Sequence, residues 1–404
     1  MVFDFLTLDD VEVKGKTVFL RVDVNSPLDP NSKRILDDSR IKATEATLRD
    51  LREARVVVGA HQSRPGKYDF TNLEAHARVL QMYHSGKVRF VEDIDGQKAQ
   101  EEIKALKKGE VLVLNNLRMH RDENLDVPPE ELAKTGMVKT LAPFFDLCVN
   151  DAFAAAHRGS ASLTAFGEVM PMVAGRLMEK ELSALNKVIN NPSRPCVYLL
   201  GGAKVDDRIP VIRRVCRDRI ADSILIGGLI RESFFMAQGG MPEKFEGLKD
   251  EDKKLVKDAC DILRNYDGTI ELPVDVALDT KGGRIEVLVG SLTDETNIYD
   301  IGLNTIAKYS KIIKEAGTVV AEGPLGMFER RGFDVGTKEL LRAMADSPAY
   351  TVIGGGHMGG LASMLGIDGE MSHVSTGGGA MLSLLAGEDL PVIEAMAKAK
   401  KRWG

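Results

Sequence analysis

The sequence lacks three things that would place it in another class of protein. Its four cysteines, Cys148, Cys196, Cys216 and Cys260, are far apart and form no CxxC pair. That suggests neither a disulfide framework nor a zinc knuckle and fits a reducing compartment. Positive charge is not in excess: 54 Lys and Arg stand against 60 Asp and Glu, a formal charge of -6. A nucleic-acid partner is therefore not expected, and any anion site must be local. No apolar run reaches the roughly eighteen residues needed to cross a bilayer. The opening MVFDFLTLDDVEV places acids where a signal peptide carries basic and apolar residues, so the expected location is cytoplasmic, with no membrane partner. Fixed-period repeats and low-complexity tracts are also missing.

What is present is a chain of 404 residues, 44% apolar and 28% charged, long enough for two cores rather than one. Short runs rich in Val, Ile and Leu alternate with charged amphipathic stretches, the pattern of βα units around buried parallel sheets. In the first half the runs are Thr17 to Val24, Arg55 to Ala60, Val88 to Val91, Val111 to Leu114 and Leu147 to Val149. The second half has Cys196 to Leu200, Ser223 to Ile226, a longer stretch around Leu272 to Leu278, Thr318 to Ala321 and Tyr350 to Ile353. Asp38 and Ser39 are natural N-caps for a helix running to Ala54, and Asn304 with Thr305 for one ending near Gly317. Pro171 to Asn191 reads as one amphipathic helix closed by Asn-Pro, and it marks the boundary between the halves. The expected fold is α/β, two Rossmann-like domains with parallel sheets joined by a hinge helix. Its parts are 1–175, the hinge helix 176–191, the domain 192–388, and a C-terminal helical segment 389–404 whose packing the sequence leaves open.

In open parallel sheets ligands sit beyond the carboxyl ends of the strands. In the first half those positions hold Asp23 and Asn25, His61 with Arg64, Arg118 with His120, and Asn150, Asp151, His157 and Arg158. Any one of these arginines reads equally well as a surface residue. Several on one sheet edge, each beside a His or Asn, suit a small phosphate or carboxylate, because the guanidinium fork stays charged and offers paired donors. In the second half the positions hold Gly201-Gly202-Ala203-Lys204, Gly227-Gly228, Glu322-Gly323-Pro324, Gly354-Gly355-Gly356-His357 and Ser375-Thr376-Gly377-Gly378-Gly379. Such turns let backbone N–H groups and helix dipoles approach a polyphosphate, although tight packing explains some of them. Lys204 and Arg208 are four residues apart, so a helix starting there would set both cations on one face.

Motif tests narrow the choice. GxxxxGK[ST] is absent, so a P-loop kinase is not supported. Gly354-x-Gly356-x-x-Gly359 matches the dinucleotide fingerprint, but the next strand ends in Ser375-Thr376-Gly377, without an acid to hold a ribose. An NAD-dependent oxidoreductase and a catalytically silent nucleotide-binding scaffold remain as competing readings.

RVDVNSP, HQSRP, NNLRMH, VNDAFAAAHR, AGRLMEKEL, LGGAKVDDRI, EGPLGMFE, GTKEL, GGGH and HVSTGGGA occur in that order between residue 18 and about 390. In these motifs the chain resembles the phosphoglycerate kinases, and in GGGH their archaeal branch. The resemblance implies a bilobal fold and magnesium-dependent, reversible transfer of a phosphoryl group from 1,3-bisphosphoglycerate to ADP, giving 3-phosphoglycerate and ATP by domain closure about a hinge near Glu181, in glycolysis or gluconeogenesis. It implies that Asp23, Asn25, Arg40, His61, Arg64, Arg118 and Arg158 bind phosphoglycerate. Gly201, Gly202, Lys204, Gly227, Gly323, Pro324, Glu329, Gly354, Gly355, Gly356 and His357 would surround the nucleotide. The catalytic set would be Arg40 on the substrate side, Lys204 at the phosphoryl group, Arg208 at the nucleotide phosphates, and Gly378 and Gly379 as backbone donors, acting on charge and alignment rather than as acids or bases. A monomer or a homodimer is expected. Departures from the family's usual residues are His357 for Asp, Glu322 for Asn, Arg208 for Lys, Met358 for Thr, Leu229 for Gly, and HQSRP for HLGRP. His357 is a poor ligand for magnesium, which prefers oxygen, so the metal ligands stay open.

Overall fold

The structure, a computed structural model, describes residues 4–266, 268–294 and 296–404. Two compact units divide it: the chain up to Ser183 together with Asp389–Gly404, and Ala184–Glu388.

The first unit is built on a parallel sheet of β1 (Leu6–Thr7), β2 (Thr17–Val22), β3 (Arg55–Gly59), β4 (Val88–Phe90), β5 (Val111–Val113), β6 (Leu147–Asp151) and β7 (Met172–Ala174). Their order across the sheet is β1-β7-β6-β2-β3-β5-β4. The central strands are apolar on both faces because both are covered. Val18 and Leu20 pack with Val56, Val58 and Val149, while Phe19 points the other way and meets Phe166 with ring centroids 4.5 Å apart. The first run ends at Val22 instead of Val24. Just beyond it, Asp23 Oδ1 accepts from the Asn25 N–H at 2.9 Å and bends the chain out of the ladder.

Three helix expectations are corrected. The stretch from Ser39 to Ala54 forms two short helices, Ser39–Lys42 and Glu45–Asp50, with Thr44 Oγ1 donating back to the Ile41 carbonyl at the break. Asp38 makes no capping bond, and it is Asp37 that accepts from the Ser39 N–H. Pro171 to Asn191 is not one helix, because Met172–Ala174 is a strand of the sheet and the helix is Arg176–Asn190. The N-terminus of that helix is held by Asp151, whose Oδ1 accepts from the Met178 N–H at 3.0 Å. The C-terminal helix Pro391–Trp403 belongs to this unit, where the Val392 N–H reaches the Ala156 carbonyl.

The second unit carries β8 (Cys196–Leu200), β9 (Ser223–Ile226), β10 (Ile270–Glu271), β11 (Asp275–Thr280), β12 (Gly283–Leu288), β13 (Ile298–Ile301), β14 (Thr318–Glu322), β15 (Tyr350–Gly354) and β16 (His373–Val374). Six form a parallel sheet in the order β10-β9-β8-β14-β15-β16. The expected run at Leu272 to Leu278 is not part of it. β11 lies in a separate antiparallel sheet, β12-β11-β13, whose outer strand is mostly exposed. A half-exposed strand lacks the continuous apolar run that marks a buried parallel one. The helix expected from Asn304 is Leu303–Lys314, and its cap is the distant Asp275 carboxylate, which accepts from the Asn304 and Thr305 N–H groups.

Candidate active site

In the first unit the chain leaves β2 in one direction, through β3, and returns on its other side as β6, so β2 and β6 flank the point where strand order reverses. Such a point opens a crevice at the carboxyl ends. The turns after β6, β2, β3 and β5, four neighbours, supply the predicted basic residues. Arg40, from the helix Ser39–Lys42, stands 3.1 Å from Asp23 Oδ1. Burial opposes ionisation of Asp23, but charges led by Arg40 outweigh it and hold the carboxyl below its usual range. Asn25 Oδ1 accepts from the Ser63 N–H at 2.7 Å, joining the turn after β2 to the turn after β3. Arg118 donates to the Ser63 carbonyl at 2.6 Å, which brings in the turn after β5. Arg158 lies 3.3 Å from His157, and Arg64 and Arg158 are exposed.

His61 is buried, and its pKa falls to about 3: burial is the main cause, and Arg21, Arg158 and Arg40 reinforce it against Asp23. Arg21 was missed by the strand-end reading because it lies inside the strand, yet an arginine within the apolar run TVFLRV is itself a signal. Its Nε donates to Ser162 Oγ at 2.7 Å and Nη2 lies 3.1 Å from His61 Nδ1. The buried Glu123 stands 3.7 Å from Nη2 as its counter-ion. Burial pushes the Glu123 carboxyl up.

In the second unit a cavity of about 460 Å³ opens over the ends of the parallel strands. Of the predicted residues, Gly202, Lys204, Arg208, Gly323, Pro324, Glu329, Gly354, Gly355, Gly356, His357, Gly378 and Gly379 line it. Gly201 and Gly227 are not among the lining residues, and their smallness serves packing: a Cβ on Gly201 would stand 2.4 Å from the Pro324 carbonyl oxygen. Gly356 is different. It opens the helix Gly356–Met364, and a Cβ there would meet nothing within 4 Å, so it faces the open space. The helix Gly378–Ala386 starts beside it, with a Gly378 Cβ position 3.0 Å from Gly355 Cα. Two helix N-termini thus meet, an arrangement that favours an anion.

Lys204 and Arg208 do not share a helix. The helix begins at Arg208, and Lys204 precedes it as an exposed residue of the turn. Among the described residues Lys204 makes no ion pair. Arg208 is buried and paired with Glu322, a carboxyl pushed up to about 7 by burial, against the pull of Arg208. The sequence reading noticed Glu322 only as a departure. It missed the apolar end of the cavity, which includes Ile298, Tyr299, Met327 and Phe328. Ile298 and Tyr299 come from β13, outside the parallel sheet, so no strand-end rule points to them. Phe328 lies against His357 with ring centroids 4.9 Å apart. An apolar slot ending in two helix N-termini and a lysine suits a base joined to a polyphosphate.

A sequence model of the family described as phosphoglycerate kinase matches residues 8–388. A phosphoglycerate kinase of Methanococcus maripaludis is 46% identical over 98% of this chain and 99% of its own. One from Pyrococcus horikoshii is 45% identical over 96% of each. The crystal structure of the Pyrococcus horikoshii OT3 enzyme superposes with a TM-score of 0.90 at 43% identity, covering 98% of this chain and all of that one. The phosphoglycerate kinase of Coxiella burnetii gives a TM-score of 0.79 at 31% identity, again covering 98% and 100%.

Proposed function

Because the chain belongs to the phosphoglycerate kinase family, we propose that its two units divide the two substrates of that reaction between them. The protein is a phosphotransferase of glycolysis and gluconeogenesis, moving a phosphoryl group reversibly between 1,3-bisphosphoglycerate and ADP. The observation that carries the assignment of residues is one site in each unit: a four-strand edge of arginines in the first and a glycine-lined cavity with an apolar end in the second.

On the substrate side, Arg40, Arg64, Arg118 and Arg158 meet the phosphate and carboxylate charges, while Asp23, Asn25 and neutral His61 orient the three-carbon acid. In the cavity the base lies among Ile298, Tyr299 and Met327, and the phosphates meet the N-termini that start at Gly356 and Gly378. Lys204 and the Gly378 and Gly379 N–H groups face the transferring phosphoryl group, with Arg40 approaching from the acid's side. The transition state of such a transfer spreads charge over the equatorial oxygens, so cations and N–H groups in line suffice, with no acid or base needed. Closure of the two units, which excludes water, is part of this proposal. So are a cytoplasmic location and a monomeric or homodimeric state.

Magnesium accompanies the nucleotide in this reading. Among the described residues no three His, Cys, Asp or Glu side chains are grouped to hold a metal. Glu322 is occupied by Arg208, and Asp207 and Glu329 are exposed. The lining does not fit a protein-built cage for an oxygen-seeking ion. Mg²⁺ would ride on phosphate oxygens and water, with His357 facing a phosphate or a water. An anomalous map of a Mn²⁺-ADP complex with a His357 nitrogen in the coordination sphere would overturn that arrangement.

The deciding experiment is a coupled assay with phosphoglycerate and Mg-ATP, in which turnover is expected. Absorbance change with NAD alone would favour the oxidoreductase. Nucleotide binding without turnover would favour the scaffold.

A further inference from the structure

The cavity wall contains an ion pair between two residues 114 positions apart. Arg208 opens its helix, and its guanidinium turns back under the Gly201–Gly202 turn. Nε donates to the Gly201 carbonyl at 2.9 Å, Nη1 to the Lys204 carbonyl at 3.1 Å, and Nη2 to Glu322. The two side chains are 6% and 7% exposed. A Cβ on Gly202 would stand 2.9 Å from Nη2, so the group is wedged beneath the turn rather than extended into the cavity.

A guanidinium that serves a phosphate must aim its fork at the ligand. Here each of the three nitrogens is already engaged, two of them by carbonyls of the segment 201–204 that carries Lys204. Glu322, at the end of β14, anchors the third from the neighbouring strand. Pairing also cancels the charges. An unpaired Glu322 would repel a polyphosphate: its Oε1 stands 3.2 Å from a Cβ position on Gly355 and 3.7 Å from one on Gly378, the turns at the two helix N-termini.

We propose that Glu322 and Arg208 form a positioning pair for phosphoryl transfer, in which Glu322 locks the Arg208 guanidinium, the guanidinium locks the backbone of 201–204, and Lys204 is thereby held toward the transferring group. The inference rests on the assignment of Lys204 above. Arg208 acts through Lys204 and does not bind phosphate itself. A lysine at 208 cannot replace it, since a point charge on a flexible stem does not hold three acceptors in one plane.

The test compares the full chain with R208K, E322Q and the double variant by steady-state kinetics and by amide hydrogen exchange at residues 201–204. Each single change is expected to lower kcat about ten- to a hundredfold through misplacement of Lys204, with the nucleotide KM moved by less than about threefold. The double variant should be no worse than the weaker single, because both act through one contact. Exchange at 201–204 should quicken in all three, whether or not the unaltered chain turns over, which separates this inference from the functional reading. A cooperative calorimetric melt with the unfolding enthalpy of the unaltered chain reports that a variant is folded, including the unit that carries the substitutions. Should E322Q fail that control, E322D, which keeps the charge and withdraws it by one methylene, is expected to give the same kcat loss and quickened exchange. Normal kcat in R208K would make Arg208 a simple cation. Tighter nucleotide binding with unchanged kcat in E322Q would make Glu322 a bystander. Either result, multiplicative losses in the double variant, or unchanged exchange overturns the proposal.

Discussion

Arg21 Nη2 stands 3.1 Å from Nδ1 of the buried His61, and this contact decides the tautomer of the imidazole. Arginine only donates, so Nδ1 must accept, and the ring's proton is on Nε2. With its pKa near 3, the ring is neutral throughout the physiological range. His61 therefore offers one fixed N–H rather than a charge.

The ring signals of His61 are accordingly expected to stay flat in an NMR titration from pH 8 down to 5. An inflection near 6.5 would mean a solvated, protonatable imidazole and a different role.

Gln62 stands in a motif where Leu is more usual, and the structure gives it work that Leu cannot do. Its Oε1 accepts from the Ser26 N–H at 2.9 Å and lies 3.0 Å from His76 Nε2, while its Nε2 donates to the Ser26 carbonyl. The amide thus ties the turn bearing Asn25 to the turn bearing His61. Gln62→Leu would strand buried polar groups at about 1–3 kcal/mol each. A lower denaturant midpoint and a raised KM for phosphoglycerate are expected, with kcat at saturation changed less. Wild-type values for both would show that the tie is idle.

His76 gives a pH dependence of known sign. Burial depresses its pKa to about 4, so the folded protein holds it neutral while the unfolded chain takes up a proton below about 6.5. The stability it contributes is present above 6.5 and is lost as pH falls toward 4, at about 1.4 kcal/mol per unit. Urea denaturation of the unaltered chain and of His76→Gln should give curves whose difference is constant above pH 6.5 and shifts against the unaltered chain below it. A difference independent of pH would contradict the burial argument.

At Gly356 the fold has room that the proposed nucleotide would need. Since nothing lies within 4 Å of a Cβ there, Gly356→Val should leave the melting temperature nearly unchanged, with the stability shift under about 1 kcal/mol. Nucleotide KM should nevertheless rise about tenfold or more, because the branched side chain occupies phosphate space and screens the helix N-terminus. Unimpaired nucleotide binding would place the phosphates elsewhere.

Lys204→Ala should lower kcat by about a hundredfold or more while changing KM for either substrate far less, the mark of an interaction realised in the transition state. Near-normal turnover would remove Lys204 from the reacting centre.

How much of this was legible follows a physical divide. β2, β3, β8 and β14 announce themselves because strands buried on both faces need unbroken apolar runs, and the turns after them must carry the ligand groups because parallel sheets open at their carboxyl ends. Local order in the chain therefore determined the basic edge, the glycine turns and the division into two cores. The Arg21 lock on His61, the Gln62 tie, the β13 side of the cavity and the Arg208–Glu322 pair join segments tens to more than a hundred residues apart. No periodicity encodes such a meeting; it exists only once the strands are ordered side by side. The sequence alone supplied Lys204 and Arg208 as equivalent cations at one turn, and only the packing of β14 beside β8, which delivers Glu322, separated them. Burial left Arg208 needing a counter-ion, while Lys204 stayed exposed in its turn.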